Sequence, residues 1–250
     1  MREHPIRWYS GVPPVEAFST VDGKGTPIVI DTTANAAYYL APDNTVQLLS
    51  SGGSGSTGFN DGKWNRYDLA GTWTISVSGK SIQWNPGPGF SLAFADQGRA
   101  EGKRYFEILI SAIYSGYPTS VHQDIGIAPC FAQPPLQSLP QDFAAYRASG
   151  AFVFGGVITT GKPKLSASDV VGVAVNFANG KVWFRRNGTW LVGDPATDTG
   201  APGTVPNGRL YYPALDVESG GLSAMNTTLR VIEADFTGSL PSGFKAWGAY

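Results

Sequence analysis

The chain has little of what metal and redox sites are built from. Its 250 residues include one cysteine, Cys130, and two histidines, His4 and His122. A single cysteine excludes a disulfide within the chain, and the two histidines do not stand at ligand spacing with a carboxylate. We therefore expect no metal site and no cofactor, and we interpret Cys130 as a small buried side chain.

Charge is also scarce, and its two signs are balanced. Eighteen Lys and Arg stand against nineteen Asp and Glu, with adjacent basic pairs only at Lys103-Arg104 and Arg185-Arg186. Phosphate binding needs a clustered positive field, so we do not expect nucleic acid as a partner. The start of the chain has no apolar signal region, and no apolar run approaches the length of a membrane span. We expect synthesis in the cytoplasm and no membrane insertion.

The chain is rich in glycine and proline, which favour turns, and in aromatic side chains. The 32 glycines and 18 prolines occupy one position in five, where an average chain has about 12%. Aromatic residues make up 12% of the sequence, which supplies enough apolar surface for a folded core. Short apolar segments between frequent turns are typical of an all-β sandwich or barrel.

A run of glycine and serine at residues 50–58 divides the chain. Such a run is typical of a flexible linker, so we predict one unit over residues 1–58 and another over residues 59–250. Three strands are predicted before its end, at residues 27–31, 37–40 and 45–49. Because three short strands make a poor core, we expect this N-terminal β segment to dock on another surface.

The strand patterns after the linker are stronger. Residues 104–114 alternate as a strand with one face inward, and residues 170–178 form a nearly continuous apolar run that predicts burial on both faces. Asn179-Gly180 and Asn187-Gly188 bracket residues 181–186 and predict two-residue hairpin turns, hence a β-meander. Residues 210–215 and 228–232 are predicted as strands, and residues 141–148 as a short helix.

Several motifs occur in a fixed order along this part of the chain. They are residues 102–107 (GKRYFE), 124–128 (DIGIA), 169–174 (DVVGVA), 179–184 (NGKVWF), 187–190 (NGTW), 212–215 (YPAL) and 243–247 (GFKAW). In this order and spacing they resemble the SPRY domain family. The resemblance implies a bent two-sheet antiparallel β-sandwich that binds ligands through loops at one end and is not an enzyme.

Residues 64–65 (WN), 68–70 (DLA) and 74–76 (TIS) resemble the leading strands of SPRY domains found in bacteriophage proteins. This resemblance implies a structural protein of the virion, such as a tail fibre or a head decoration, made in the bacterial cytoplasm. The N-terminal segment would dock to other virion proteins, and the SPRY-like domain would project outward. We expect a homo-oligomer or many copies in one particle.

Two loops carry aromatic residues among small polar ones, a mixture typical of recognition surfaces. One precedes residue 123, and the other lies between residues 129 and 150, where a Pro- and Gln-rich stretch departs from the family pattern. The candidate ligand-binding residues are Tyr114, Tyr117, His122, Phe131, Gln137, Tyr146 and Arg147. The alternative interpretation is that these aromatic side chains cap the sandwich. The strand aromatics are assigned to the core: Phe106, Trp183, Phe184 and Trp190.

Four functions stay open on the sequence. The outer domain binds a host surface protein or glycan, or it decorates the capsid with no receptor role. A third is a free SPRY adaptor that binds a peptide of a cellular partner. A fourth is carbohydrate cleavage by a carboxylate pair, although nothing in the spacing singles out such a pair.

Overall fold

A computed structural model describes the chain in two parts. It gives the backbone of residues 6–9, 28–31, 36–40 and 46–51, and then residues 62–70, 73–85, 90–113, 123–129, 142–218 and 225–249. The chain divides into two compact units, Met1–Phe59 and Asn60–Tyr250. The division falls one residue after the end of the predicted first unit.

The first unit contains a four-stranded sheet in the order β1-β2-β3-β4. Its strands are β1 (Ile6–Tyr9), β2 (Ile28–Asp31), β3 (Ala36–Leu40) and β4 (Val46–Ser51). β1 runs parallel to β2, and the other pairs are antiparallel. The three strands predicted from the sequence are therefore present, and β1 is a fourth that was not predicted.

The second unit contains two sheets. The strands of sheet 1, in spatial order, are β13 (Val157–Thr159), β12 (Ala151–Phe154), β11 (Ala144–Arg147), β10 (Gln123–Pro129), β18 (Tyr211–Glu218), β8 (Phe90–Ala95) and β5 (Trp64–Ala70). Sheet 2 has the order β16 (Thr189–Trp190), β15 (Lys181–Arg186), β14 (Val170–Asn176), β9 (Lys103–Ala112), β19 (Met225–Arg230), β7 (Ser81–Trp84) and β6 (Trp73–Ile75). In sheet 2, β17 (Gly203–Thr204) also pairs with β15, and β20 (Lys245–Ala246) with β9.

The main core lies between the two sheets. Alternate residues of β9 and β14 point into it, among them Phe106, Ile108 and Val173, and all three are fully buried. Sheet 1 contributes Ile125 and Phe152 from the facing side. The period-two pattern of each strand thus supplies one apolar face to a shared interior, as in other sandwiches. The all-β two-sheet fold predicted from the sequence is confirmed.

The outer face of sheet 2 is covered by the C-terminal residues 231–249. Phe236, Leu240 and Phe244 pack on Tyr105 and Trp183, which point away from the main core. Trp247 then enters the main core beside Phe106 and Phe177, with ring centroids 5.2 and 6.0 Å away. The prediction of one buried face for residues 104–114 is therefore wrong in part, because a distant segment buries the other face as well.

Three further local predictions can be compared with the structure. Asn187-Gly188 forms the predicted two-residue turn, with φ of 49° and 82°. The turn at Asn179-Gly180 instead takes four residues, 177–180, because Asn176 pairs with Lys181 and only Gly180 has positive φ. The helix predicted at residues 141–148 is wrong. Its alanine-rich segment is strand β11, since pairing with β10 and β12 outweighs helix propensity. The described residues contain one 3-10 turn, Glu233–Asp235, and no α-helix.

Candidate functional site

The strand directions gather many chain connections at one end of the sandwich, which we call the loop end. β9 ends there and β10 begins there, since Ala112 pairs with Asn226 and Asp124 with Asp216. The connections at this end are β5–β6, β7–β8, β9–β10, β11–β12, β13–β14, β15–β16 and β18–β19. The opposite, far end carries β8–β9, β10–β11, β12–β13 and β14–β15. A surface built from loops of both sheets can therefore form at the loop end.

A polar network holds two of these connections together. The buried carboxylate of Asp169 accepts hydrogen bonds from the backbone N–H of Ser166 at 2.7 Å and from the side chain of Asn187 at 2.7 Å. It also pairs with Arg186, at 2.8 Å from Nε. Asn187 in turn accepts the backbone N–H of Val170 at 2.8 Å. The β13–β14 connection and the β15–β16 turn are thereby fixed to one another by charge-assisted bonds.

A buried ion pair supports the loop end from the outer face of sheet 1. The guanidinium of Arg147 donates to both carboxylate oxygens of Asp124, with Nε and Nη2 at 2.8 and 2.9 Å. Neither side chain is exposed. Asp124 and Arg147 are cross-strand partners, so sheet register brings these charges together. Such a bidentate pair fixes both side chains, because removing either partner would leave a buried charge uncompensated.

Tyr146 ties the same strand to the β13–β14 connection. Its hydroxyl donates to the carbonyl oxygen of Pro163, and its ring packs on Phe152 and Phe184. Burial raises the pKa of Tyr146 to about 12, the nearby Arg186 lowers it, and Asp169 raises it again. A neutral, hydrogen-bonded phenol is thus part of the support of the loop end and is not poised for proton transfer at neutral pH.

The described surface of the loop end is small and polar. Lys164, Ser166, Ala167, Ser168 and Asn187 are exposed there. They project from connections whose bases are held by the Asp169 network and by Tyr146. The arrangement is rigid underneath and accessible on top, which suits recognition of a large partner.

The structure separates the seven predicted ligand residues. Tyr114, Tyr117, His122, Phe131 and Gln137 lie outside the described residues. Tyr146 and Arg147 are in β11 and fully buried, so neither can offer contact area to a ligand, and their placement in a long loop was wrong. The expected loop ends at Asp142 because residues 144–147 pair with β10.

The two predicted loops also join opposite ends of β10. The first precedes Gln123 at the loop end, and the second follows Pro129 at the far end. Seven residues of strand separate these two points by about 20 Å. The bases of the two loops therefore do not form one binding surface. This separation follows from the direction of β10 and cannot be inferred from the spacing of residues in the sequence.

Sequence reasoning singled out Tyr146 and Arg147 as ligand contacts and not as supports of the loop end, and it assigned Asp124, Asp169 and Asn187 to no site. Asp169 and Asn187 flank predicted strands, and a carboxylate just before a buried strand with an Asn-Gly turn 18 residues later was the available signal. The pairing of Asp124 with Arg147 had no signal in the sequence, because an ion pair across two strands depends on register.

The described ranges contain no candidate metal site. No three histidine, cysteine, aspartate or glutamate side chains lie together there in a way that could hold a metal ion. None of the described residues belongs to a helix long and apolar enough to cross a membrane.

Two antiparallel sheets packed face to face, with connections of both sheets at one end, define a SPRY-like β-sandwich. The crystal structure of the SPRY domain of human HERC1 matches it with a TM-score of 0.54 at 13% sequence identity. The match covers 67% of this chain and 96% of that domain. No protein-family model and no curated protein sequence matches the chain.

Proposed function

We propose that residues 60–250 form a non-catalytic protein-binding domain whose partner is recognised at the loop end. The observation that carries this proposal is the framework of Asp169 and the Asp124–Arg147 pair, which holds the bases of several connections in one place. Binding loops on a rigid scaffold lose little conformational entropy when they meet a partner. The SPRY-like fold and the ordered SPRY motifs support binding without catalysis.

We propose further that the protein is a structural component of a bacteriophage particle. The support is the resemblance of residues 64–76 to the leading strands of phage SPRY domains and the separate four-stranded unit that precedes them. In this proposal the N-terminal unit docks to a neighbouring virion protein, and the sandwich is exposed for a host receptor or another virion protein. Many copies per particle would then act together.

Site-specific photocrosslinking tests the binding surface. A crosslinking amino acid is placed at Ala167, which is exposed at the loop end, or at Glu101, which is exposed at the far end. The full chain is then irradiated with host envelope material and with purified particles. We expect adducts to form from position 167 and not from position 101. Equal adducts from both positions, or adducts from position 101 alone, would contradict the assignment to the loop end.

The virion role has its own test. Residues 1–58 are fused to a fluorescent protein, and the fusion is compared with the full chain and with a chain lacking those residues for binding to purified particles. We expect the fusion and the full chain to bind and the shortened chain to remain free, with circular dichroism checking that it is folded. Absence of the full chain from purified particles would refute the virion role and favour a free adaptor, which size-exclusion chromatography would detect as a monomer.

A further inference from the structure

The edge of sheet 1 at β13 is a second surface with features of a binding site. β13 is the terminal strand of this sheet, and all three of its residues are exposed. Val157 is 67% exposed and Ile158 is 39% exposed. Only two other large hydrophobic side chains of the described residues are comparably exposed, Val77 and Leu210. Val157 and Ile158 are adjacent in the strand, so each face of this sheet edge carries one exposed β-branched side chain.

The backbone of Ile158 faces away from the sheet. β12 and β13 are joined by Gly155-Gly156, with φ of 51° and 82°, and Phe154 pairs with Val157 across this two-residue turn. The residues that flank such a turn bond to each other, and the direction alternates along the strand. Val157 and Thr159 therefore bond toward β12, while the N–H and C=O of Ile158 point to the free edge.

This edge lacks several of the devices that prevent edge pairing. Natural edge strands are blocked by proline, by charged side chains or by bulges. Residues 155–161 contain neither proline nor charge, and the pairing of β12 with β13 has no register shift. β6, an edge strand of sheet 2, differs from β13 because its side chains Trp73 and Ile75 pack against the core. The edge at β13 is short but competent to pair.

The charge next to β13 has one sign. The stretch of residues 155–168 carries Lys162 and Lys164 and no acidic residue. The ammonium of Lys162 lies 5.2 Å from the ring centroid of Phe152, whose cross-strand partner is Thr159. A positive charge thus lies beside the last residue of β13. Because the whole chain has a net charge of −1, this is a local feature of the edge.

We propose that β13 is a docking site for an extended acidic segment of a partner protein, which adds as an antiparallel strand. Ile158 would exchange two backbone hydrogen bonds with it, and Val157 and Ile158 would contact β-branched side chains on the two faces. In an antiparallel pair the residues opposite the C-terminal end of β13 come first in the partner. The carboxylates that meet Lys162 therefore lie N-terminal to the β-branched run. This inference rests on the proposed protein-binding function and names a second surface for it.

A second copy of this chain fits the edge less well. Two copies paired about Ile158 would leave Lys162 and Lys164 of each copy without an opposite charge, since residues 155–161 of the other copy carry none. A stable dimer also needs an interface of about 1,000 Å² or more, which a three-residue strand does not provide. An acidic peptide supplies the missing charge and needs only the short edge.

A displayed library of random 12-residue peptides, selected on the full chain, tests the proposal. We expect enriched peptides to carry Asp or Glu N-terminal to a run of alternating Val, Ile or Thr. The best peptide and its reversed sequence are then synthesised with blocked ends and measured by fluorescence anisotropy. The reversed peptide should bind more weakly, and added salt should weaken the forward peptide.

Matched variants assign the binding to the edge. Ile158→Pro removes the outward N–H and should weaken the peptide about tenfold, whereas Ile158→Thr keeps it and should not. Lys162→Glu should weaken binding by a similar factor, and Lys245→Glu, at the far end, should leave it unchanged. Thermal melting verifies that Ile158→Pro is folded, and the two lysine variants leave the backbone untouched.

Three outcomes would overturn the proposal. One is enrichment of no peptide, or of peptides without acidic residues. Another is a selected peptide whose affinity is unchanged by Ile158→Pro and which crosslinks to position 167. That result would support binding at the loop end and not at β13. The third is self-association of the chain that Ile158→Pro abolishes, which would assign the edge to a second copy.

Discussion

Replacing Glu107 by glutamine should destabilise the sandwich far more than its isosteric shape suggests. Glu107 is buried on the outer face of sheet 2, where Oε1 accepts the hydroxyl of Tyr105 at 2.7 Å and Nη2 of Arg185 at 2.6 Å. Its other oxygen accepts the backbone N–H of Thr237 at 2.7 Å. Arg185 is buried as well and also donates to the carbonyl of Ser239 at 2.8 Å. These bonds fasten the C-terminal segment to sheet 2.

The magnitude follows from the burial of both charges. Glutamine would put an NH₂ group against one of these donors and leave the guanidinium of Arg185 without its counter-charge. Breaking a buried pair in this way costs about 3–5 kcal/mol. For a unit of this size each kcal/mol lowers Tm by about 2–4 °C, so a fall of about 6–20 °C is expected.

Urea unfolding followed by tryptophan emission measures this loss, since six of the seven tryptophans lie after residue 60. The matched control is Asp235→Asn, which breaks the pair between Asp235 and Lys80 on the same C-terminal segment. That pair is 3.1 Å long and partly exposed, so its loss should cost about 1 kcal/mol or less. Equal effects of the two variants would refute the claim that the buried charge, and not the mere contact, holds the segment.

Four further variants test other parts of the fold. Gly126→Ala would place a Cβ 1.9 Å from the carbonyl oxygen of Ala144, so we expect a loss of about 4 kcal/mol or more by urea unfolding. Gly188→Ala meets nothing within 4 Å and is strained only by its φ of 82°, so about 1–2 kcal/mol is expected, and a comparable loss in both variants would be inconsistent with close approach at Gly126. The raised pKa of Tyr146, about 12, means that its stabilisation is present below pH 10 and is lost as pH rises from 10 to 12. The stability difference between wild type and Tyr146→Phe should therefore shrink by about 3 kcal/mol over that range, and a constant difference would exclude a buried phenol. Asp169→Ala should cost about 3 kcal/mol and loosen the loop end, measured as faster amide exchange at Ser166, and unchanged exchange there would argue against the network.

The sequence patterns that were interpreted correctly are those that depend on neighbours along the chain. The apolar run at residues 170–178 predicts a strand buried on both faces, and β14 is such a strand. Asn187-Gly188 predicts a turn with positive φ at both residues, and both residues have positive φ in the structure. The prediction of a helix at residues 141–148 was wrong. Ala144 and Ala145 favour a helix locally, but the backbone hydrogen bonds that this segment makes with β10 and β12 exist only in the assembled sheet.

The candidate site divides in the same way. The binding loops were predicted before residue 123 and between residues 129 and 150, whereas the residues found exposed at the loop end include Lys164, Ser166, Ala167 and Ser168. The sequence did not indicate which loops share an end, because that depends on the direction of β10. It also did not reveal that Arg147 pairs with Asp124, since the partner lies 23 residues away in the chain.

The sequence by itself therefore determined the class of fold and the burial of β14 on both faces, and it excluded an intrachain disulfide. Those properties follow from composition and from a period of two residues, both of which are local. Tertiary structure decided which charges are buried, which end collects the loops, and which edge remains open at β13. Each of these depends on register and strand order, which bring together residues that are far apart in the chain.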